Sequence, residues 1–132
     1  MKAVDTNVLL RYLVGDDEQQ SLAAAGFMRQ RTEEDPAFVS LIVLAEIIWA
    51  LRTHYGYPRD QVHTLLMSLV KTAEVALEDE EFLSLLITGD KPIKGDIADH
   101  LISHCASRAG CSVTVTFDRK AAKSVPGMEL LQ

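Results

Sequence analysis

The sequence predicts an α/β protein, a three-layer α/β/α sandwich with a mainly parallel central sheet. Two observations predict it. Short apolar, β-branched segments alternate with segments of helical periodicity along the whole chain, the pattern of a parallel sheet between helical layers. Twice, at Asp5 and at Asp118, such a segment ends in an aspartate with a helix-period segment directly behind it. Ligands of open parallel sheets sit outside the carboxyl ends of the strands, so both aspartates are expected on the working edge.

The first strand runs into Asp5, and Thr6 or Asn7 opens a helix reaching about Leu13. Gly15-Asp16-Asp17-Glu18 is a turn. A second helix covers roughly Glu18 to Arg31, with Leu22, Ala25, Phe27 and Met28 at helical spacing. Glu33-Glu34-Asp35-Pro36 breaks it, and Ala37 to Ser40 is a short strand. Leu41 to Leu51 is apolar on every side apart from Glu46, which predicts a buried helix ended by the stretch His54 to Pro58. Arg59 to Lys71 is again helical through Val62, Leu65, Leu66, Leu69 and Val70, and Ala73 to Leu77 reads as a third strand. Glu78 to Glu81 then supplies the acidic first turn that a helix N-terminus favours, expected as a solvated start to a helix running through Leu86. Thr88 to Gly95 is a loop, and Asp96 to Ala109 a helix closed by Gly110. Ser112 to Phe117 alternates as a strand, Arg119 to Lys123 begins a helical turn, and Met128 to Leu131 is a last edge strand.

A chain of 132 residues suits a single domain, residues 1–132, and 48% hydrophobic with 24% charged residues is ordinary for a soluble globular protein. Position 5 is already an aspartate with no basic leader before it, so no signal peptide is expected. The apolar block at Leu41–Leu51 is too short to span a bilayer. Cys105 and Cys111 form neither a disulfide framework nor a CxxC pair, which points to a reducing cytoplasm and to buried or inert thiols. The net charge of −6 argues against holding nucleic acid by phosphate neutralisation alone. Either nucleic acid is not the ligand, or bound cations bridge the acidic groups to phosphate, or basic residues cluster locally, Lys91, Lys94, Arg119, Lys120 and Lys123 being the candidates.

The carboxylates carry the chemistry. Glu46 is the only polar side chain between Leu41 and Leu51. Buried and unpaired, it would cost several kcal/mol, so it is expected to be protonated, bound to a metal, or paired with an arginine such as Arg11 or Arg52. Asp96 and Asp99, three apart, project from one side of a helix near its start, where Asp96 could equally be a cap. Asp118 repeats the setting of Asp5; on neighbouring strands the two would lie roughly 5 Å apart. Carboxylates near 4 Å repel by about 4 kcal/mol at an effective dielectric of 20, and hard divalent cations, Mg²⁺ or Mn²⁺, relieve this. Such cations activate water and stabilise charge on a phosphoryl group. No glycine-rich phosphate loop or nucleophile elbow is present. His100 and His104 have the spacing of a zinc pair without the glutamate of HExxH, and are expected as surface or groove residues.

In order and spacing, Asp5-Thr6-Asn7, Ala45-Glu46, Asp96-x-x-Asp99 and Thr116-Phe117-Asp118 resemble the PIN-domain nucleases, most closely the VapC-type toxins. Each motif alone is weak; four in register over essentially the whole chain are specific. The resemblance implies a PIN-like fold and a Mg²⁺- or Mn²⁺-dependent endoribonuclease. Asp5, Glu46, Asp99 and Asp118 match the family's acidic ligands, Asp96 is an additional acid, and Thr6, Asn7 and Thr116 match positions that orient carboxylates or water. It also implies a homodimer and a cognate antitoxin that covers the acidic groove. One departure is the polar run His100-Leu101-Ile102-Ser103-His104, where the family helix is commonly small and apolar.

Two other functions place carboxylates similarly. A phosphatase of the haloacid-dehalogenase type needs a second aspartate two residues after the first, where this chain has Asn7. A non-catalytic receiver-like domain needs an acidic pair directly after the first strand, and Asp16-Asp17 lies beyond a helix.

Overall fold

β1 (Lys2–Ala3) is two residues long, and its parallel pairing with β2 (Ala37–Val39) sets Lys2 opposite Ala37. β2 in turn pairs in parallel with β3 (Val75–Leu77), Val39 opposite Leu77, giving the order β1-β2-β3. Parallel neighbours require long crossovers. α1 (Thr6–Val14) and α2 (Glu18–Arg29) supply the first, and α3 (Leu41–Thr53) with α4 (Arg59–Val70) the second; α5 (Glu80–Thr88) follows β3. The computed structural model describes residues 1–132, in two compact units, Met1–Gly89 and Asp90–Gln132. In the first unit Leu9, Leu44, Ile47, Leu51, Leu66 and Leu83 are fully buried and form the core.

α3 corrects the expectation of a helix buried on all sides. Leu41, Leu44, Ile47, Ile48 and Leu51 face the core, but Ile42 is 74% and Trp49 67% exposed, and Glu46 lies in the open between them. One apolar stripe is enough to dock a helix, and the remaining apolar residues of α3 stay in solvent. Glu78 differs from expectation too. Rather than belonging to a solvated helix start, its Oε1 accepts the Leu41 N–H at 2.8 Å, while the Ser40 hydroxyl accepts the Val43 N–H at 3.2 Å. Two of the free backbone donors at the start of α3 are satisfied in this way.

The second unit holds α6 (Ile97–Arg108), β4 (Thr114–Thr116), α7 (Arg119–Ser124) and β5 (Met128–Leu130). β4 and β5 pair in parallel, Thr114 opposite Met128, and Ile97, Leu101, Ala121 and Val125 are buried. α6 ends where Gly110 predicts: with Gly110 at φ 92°, its N–H reaches the Ser107 carbonyl and the Cys111 N–H the Ala106 carbonyl, both at 3.0 Å. Strands alternating with helices, all paired in parallel, bear out the α/β fold class. β1, which leads to Asp5, and β4, which leads to Asp118, belong to separate sheets. Cys105 and Cys111 are exposed rather than buried. No helix is long and apolar enough to cross a membrane.

Gly127 is a stringent position in this unit. Its φ is 84°, and a Cβ there would stand 2.7 Å from the Ser103 hydroxyl, which donates to the Pro126 carbonyl at 2.6 Å. Gly127→Ala is expected to destabilise by at least about 1–2 kcal/mol from the left-handed backbone alone. The check is a lower denaturant midpoint at unchanged slope.

Candidate active site

β1 delivers Asp5 to the start of α1. The residue is extended, at φ −89° and ψ 174°, and its Oδ1 accepts the Val8 N–H at 3.1 Å. Asp5 is therefore an N-cap, and it is exposed, with Oδ2 free of any protein partner. The cap leaves one oxygen for other work. Thr6, half-buried, and Asn7, exposed, open α1, and neither side chain hydrogen-bonds the Asp5 carboxylate. Asp5, Asn7 and Arg11 line a cavity of about 640 Å³ with Val8, Gln20 and Phe27. Glu46 stands on the open face of α3, which packs against α1. No arginine pairs with it: Arg11 binds Asp16 at 3.3 Å, and Arg52 is exposed. The premise of an interior charge needing compensation thus falls, because Glu46 is already solvated.

In the second unit the charges of Asp96 and Asp118 act on Asp99. Asp96 is the N-cap of α6, its Oδ1 accepting the Ala98 N–H at 3.2 Å. Asp118 is the N-cap of α7, its Oδ1 accepting the Ala121 N–H at 3.0 Å. Thr116 holds Asp118 in place through its Oγ1, which accepts the Asp118 N–H at 3.0 Å. Asp99, in the first turn of α6, is half-buried and makes no hydrogen bond through its side chain. Burial raises its pKa above the ordinary carboxylate value, and the charges of Asp96 and Asp118 raise it further, with His100 opposing. His100 is occupied structurally, its Nε2 lying 2.7 Å from the Lys94 carbonyl. The basic candidates Lys91, Lys94, Arg119, Lys120 and Lys123 are all exposed.

Against known proteins, the PIN domain family model matches residues 2–126. The chain belongs to the PIN domain family. It is also similar to a VapC ribonuclease of Aquifex aeolicus (strain VF5), 25% identical over 123 residues that cover 93% of this chain and 91% of that protein. No solved structure matches it.

The match to the PIN domain spans both units and every candidate residue from Asp5 to Asp118. Within neither unit do three His, Cys, Asp or Glu side chains converge closely enough to hold an ion by themselves. The donor chemistry nevertheless fits a hard cation. Mg²⁺ is commonly held by one or two carboxylates, with water and substrate phosphates completing its shell. Asp99 is the carboxyl whose charge the fold disfavours, and it has no hydrogen bond to exchange for a cation. Sequence reasoning passed over Trp49 and Tyr55 of this PIN domain. The spacing of Ile42, Glu46 and Trp49, on one face of α3 around a carboxylate, could have flagged the first.

Proposed function

We propose that this PIN domain is a Mg²⁺- or Mn²⁺-dependent endoribonuclease, the toxin of a toxin–antitoxin pair, and that residues 1–132 work as a single nuclease domain. The observation that carries the proposal is the placement of carboxylates at strand ends and first helical turns in a chain matched to the PIN family over residues 2–126. Similarity to a VapC ribonuclease over 93% of the chain supports RNA as the substrate. It disfavours the phosphatase and receiver-like alternatives.

Asp5, Glu46, Asp99 and Asp118 would hold the metal and carry the chemistry. A cation held there would supply positive charge to lower the pKa of water and to stabilise charge on a phosphoryl group. The protein's own part is orientation. Backbone N–H groups at the starts of α1 and α7 fix one oxygen of Asp5 and of Asp118, leaving the other available. Thr116 fixes the backbone of Asp118, and Asp96 keeps negative charge beside Asp99. Thr6 and Asn7 are the proposed orienting residues beside Asp5. We further propose a cytoplasmic homodimer, neutralised by a cognate antitoxin whose arginine or lysine enters the acidic groove.

Purified protein should cleave RNA to 5′-phosphate and 3′-hydroxyl ends. Products ending in a 2′,3′-cyclic phosphate would exclude attack by water. In cells, expression alone should arrest growth, and the neighbouring antitoxin gene should relieve it. Asp5→Asn is the telling variant, because asparagine also caps helices and α1 keeps its start. Growth arrest undiminished by Asp5→Asn would show that toxicity does not come from this carboxylate.

A further inference from the structure

Trp49 and Arg11 share a second cavity of the first unit, about 420 Å³, with Asn7, Leu10, His54 and Tyr55. That volume lies within the range of about 300–1,000 Å³ usual for small-molecule sites. Taking RNA as the substrate proposed above, we infer that this cavity is a substrate subsite in which one unpaired RNA base stacks on Trp49. Three observations carry it.

The first is the wall. Arg11 is pinned: its Nε donates to Gln20 Oε1 at 2.7 Å, and its Nη1 to Asp16 Oδ1 and to the Tyr55 hydroxyl, both at 3.3 Å. The Tyr55 hydroxyl donates to Asp16 Oδ2 at 2.8 Å. That bond holds the Asp16 carboxyl below its ordinary pKa and the Tyr55 phenol above its own, so the network persists at neutral pH. Arg11 Nη2 has no protein partner and is left for a base edge or a phosphate. His54 stacks edge-on against Tyr55, with centroids 4.8 Å apart at 89°.

The second is the platform. Trp49 is 67% exposed on a helix whose other face already fills the core, so packing does not account for its ring. Aromatic faces in solvent are what unpaired bases stack on. The third is position and charge. Asn7 is two residues from Asp5, and Glu46 lies one turn before Trp49 on the same face of α3, so the cavity borders the carboxylates of this unit. With a net charge of −6 the chain as a whole gains little from phosphate attraction, which gives contacts to bases more weight in holding RNA. A second copy of the chain is the competing occupant of this aromatic face.

Trp49 is the only tryptophan, so its fluorescence reports this cavity alone. A short unstructured oligoribonucleotide added in EDTA should quench it saturably, with weak salt dependence, and an abasic oligomer of the same length should not. In Mn²⁺, Trp49→Ala should raise KM for RNA between about fivefold and about a hundredfold, the range of one base stack, with the loss falling on KM. Trp49→Phe should restore most of it. If RNA is cleaved but is bound without quenching, and Trp49→Ala keeps the parent KM, the subsite is refuted while the nuclease stands. If oligonucleotide has no effect and Trp49→Ala instead converts a dimer to monomers in sedimentation, the face belongs to self-association and the subsite is refuted. If RNA is neither bound nor cleaved, the subsite falls together with the proposed function.

Discussion

Asp99→Asn will lower RNA cleavage by at least about a hundredfold, the usual scale for losing a charged group that acts on the transition state. It will also leave the metal-free protein as stable as the parent or more so. The two outcomes together separate a working carboxylate from a structural one. Asp99 makes no hydrogen bond through its side chain, and its pKa is raised first by burial and then by Asp96 and Asp118. A carboxyl whose folded pKa lies above its unfolded value favours folding while protonated, below the unfolded value of about 3.9. That advantage is lost as pH rises through the raised folded value. Metal-free parent protein should therefore lose stability from about pH 4 upward across this window, and Asp99→Asn should flatten the loss. Asp118→Ala makes the contrast: it removes the cap on Ala121 and should destabilise by about 0.5–2 kcal/mol whatever its effect on activity. Melting curves in EDTA at mildly acidic and neutral pH decide the matter. Marked destabilisation by Asp99→Asn would make Asp99 a structural residue and remove it from the site.

Much of this was legible because it is local. An aspartate directly before a helix-period segment is an N-cap signal, and Asp5, Asp96 and Asp118 all cap the helices that follow them. Gly110 closes α6 for the same kind of reason, since only a residue at ease with positive φ ends a helix that way. What escaped is long-range or rests on which face of an element meets the core. Glu78 caps α3 from 37 residues away, across β3, and nothing in its own neighbourhood announces it. Glu46 looked interior because Ile42 and Trp49 flank it, yet apolar residues are common on surfaces and the inside-outside rule runs one way. The network of Arg11, Asp16 and Tyr55 joins residues 44 and 39 apart in sequence and is invisible to pattern reading. β4 spans only Thr114–Thr116 of the alternating stretch Ser112 to Phe117, because alternation marks a tendency and the paired partner sets the length.

Mn²⁺ or Mg²⁺ will stabilise the folded protein at neutral pH, and EDTA will reverse the effect and abolish cleavage. A ligand that binds only the folded state at a hundredfold excess over its dissociation constant adds about 2.7 kcal/mol. For a chain of 132 residues that is a rise in melting temperature on the order of 10 °C. The rise should shrink on acidification, because the cation and the proton compete for Asp99, the carboxyl whose pKa is already raised. It should shrink also in Asp99→Asn, which keeps the shape of the side chain but offers a neutral amide in place of a carboxylate. Parent and variant measured side by side, each with and without Mn²⁺ at two pH values, give four shifts, of which the parent's at neutral pH should be the largest. An equal shift in parent and Asp99→Asn would place the cation elsewhere on an acidic surface. Cleavage that survives EDTA would refute the proposed metal dependence.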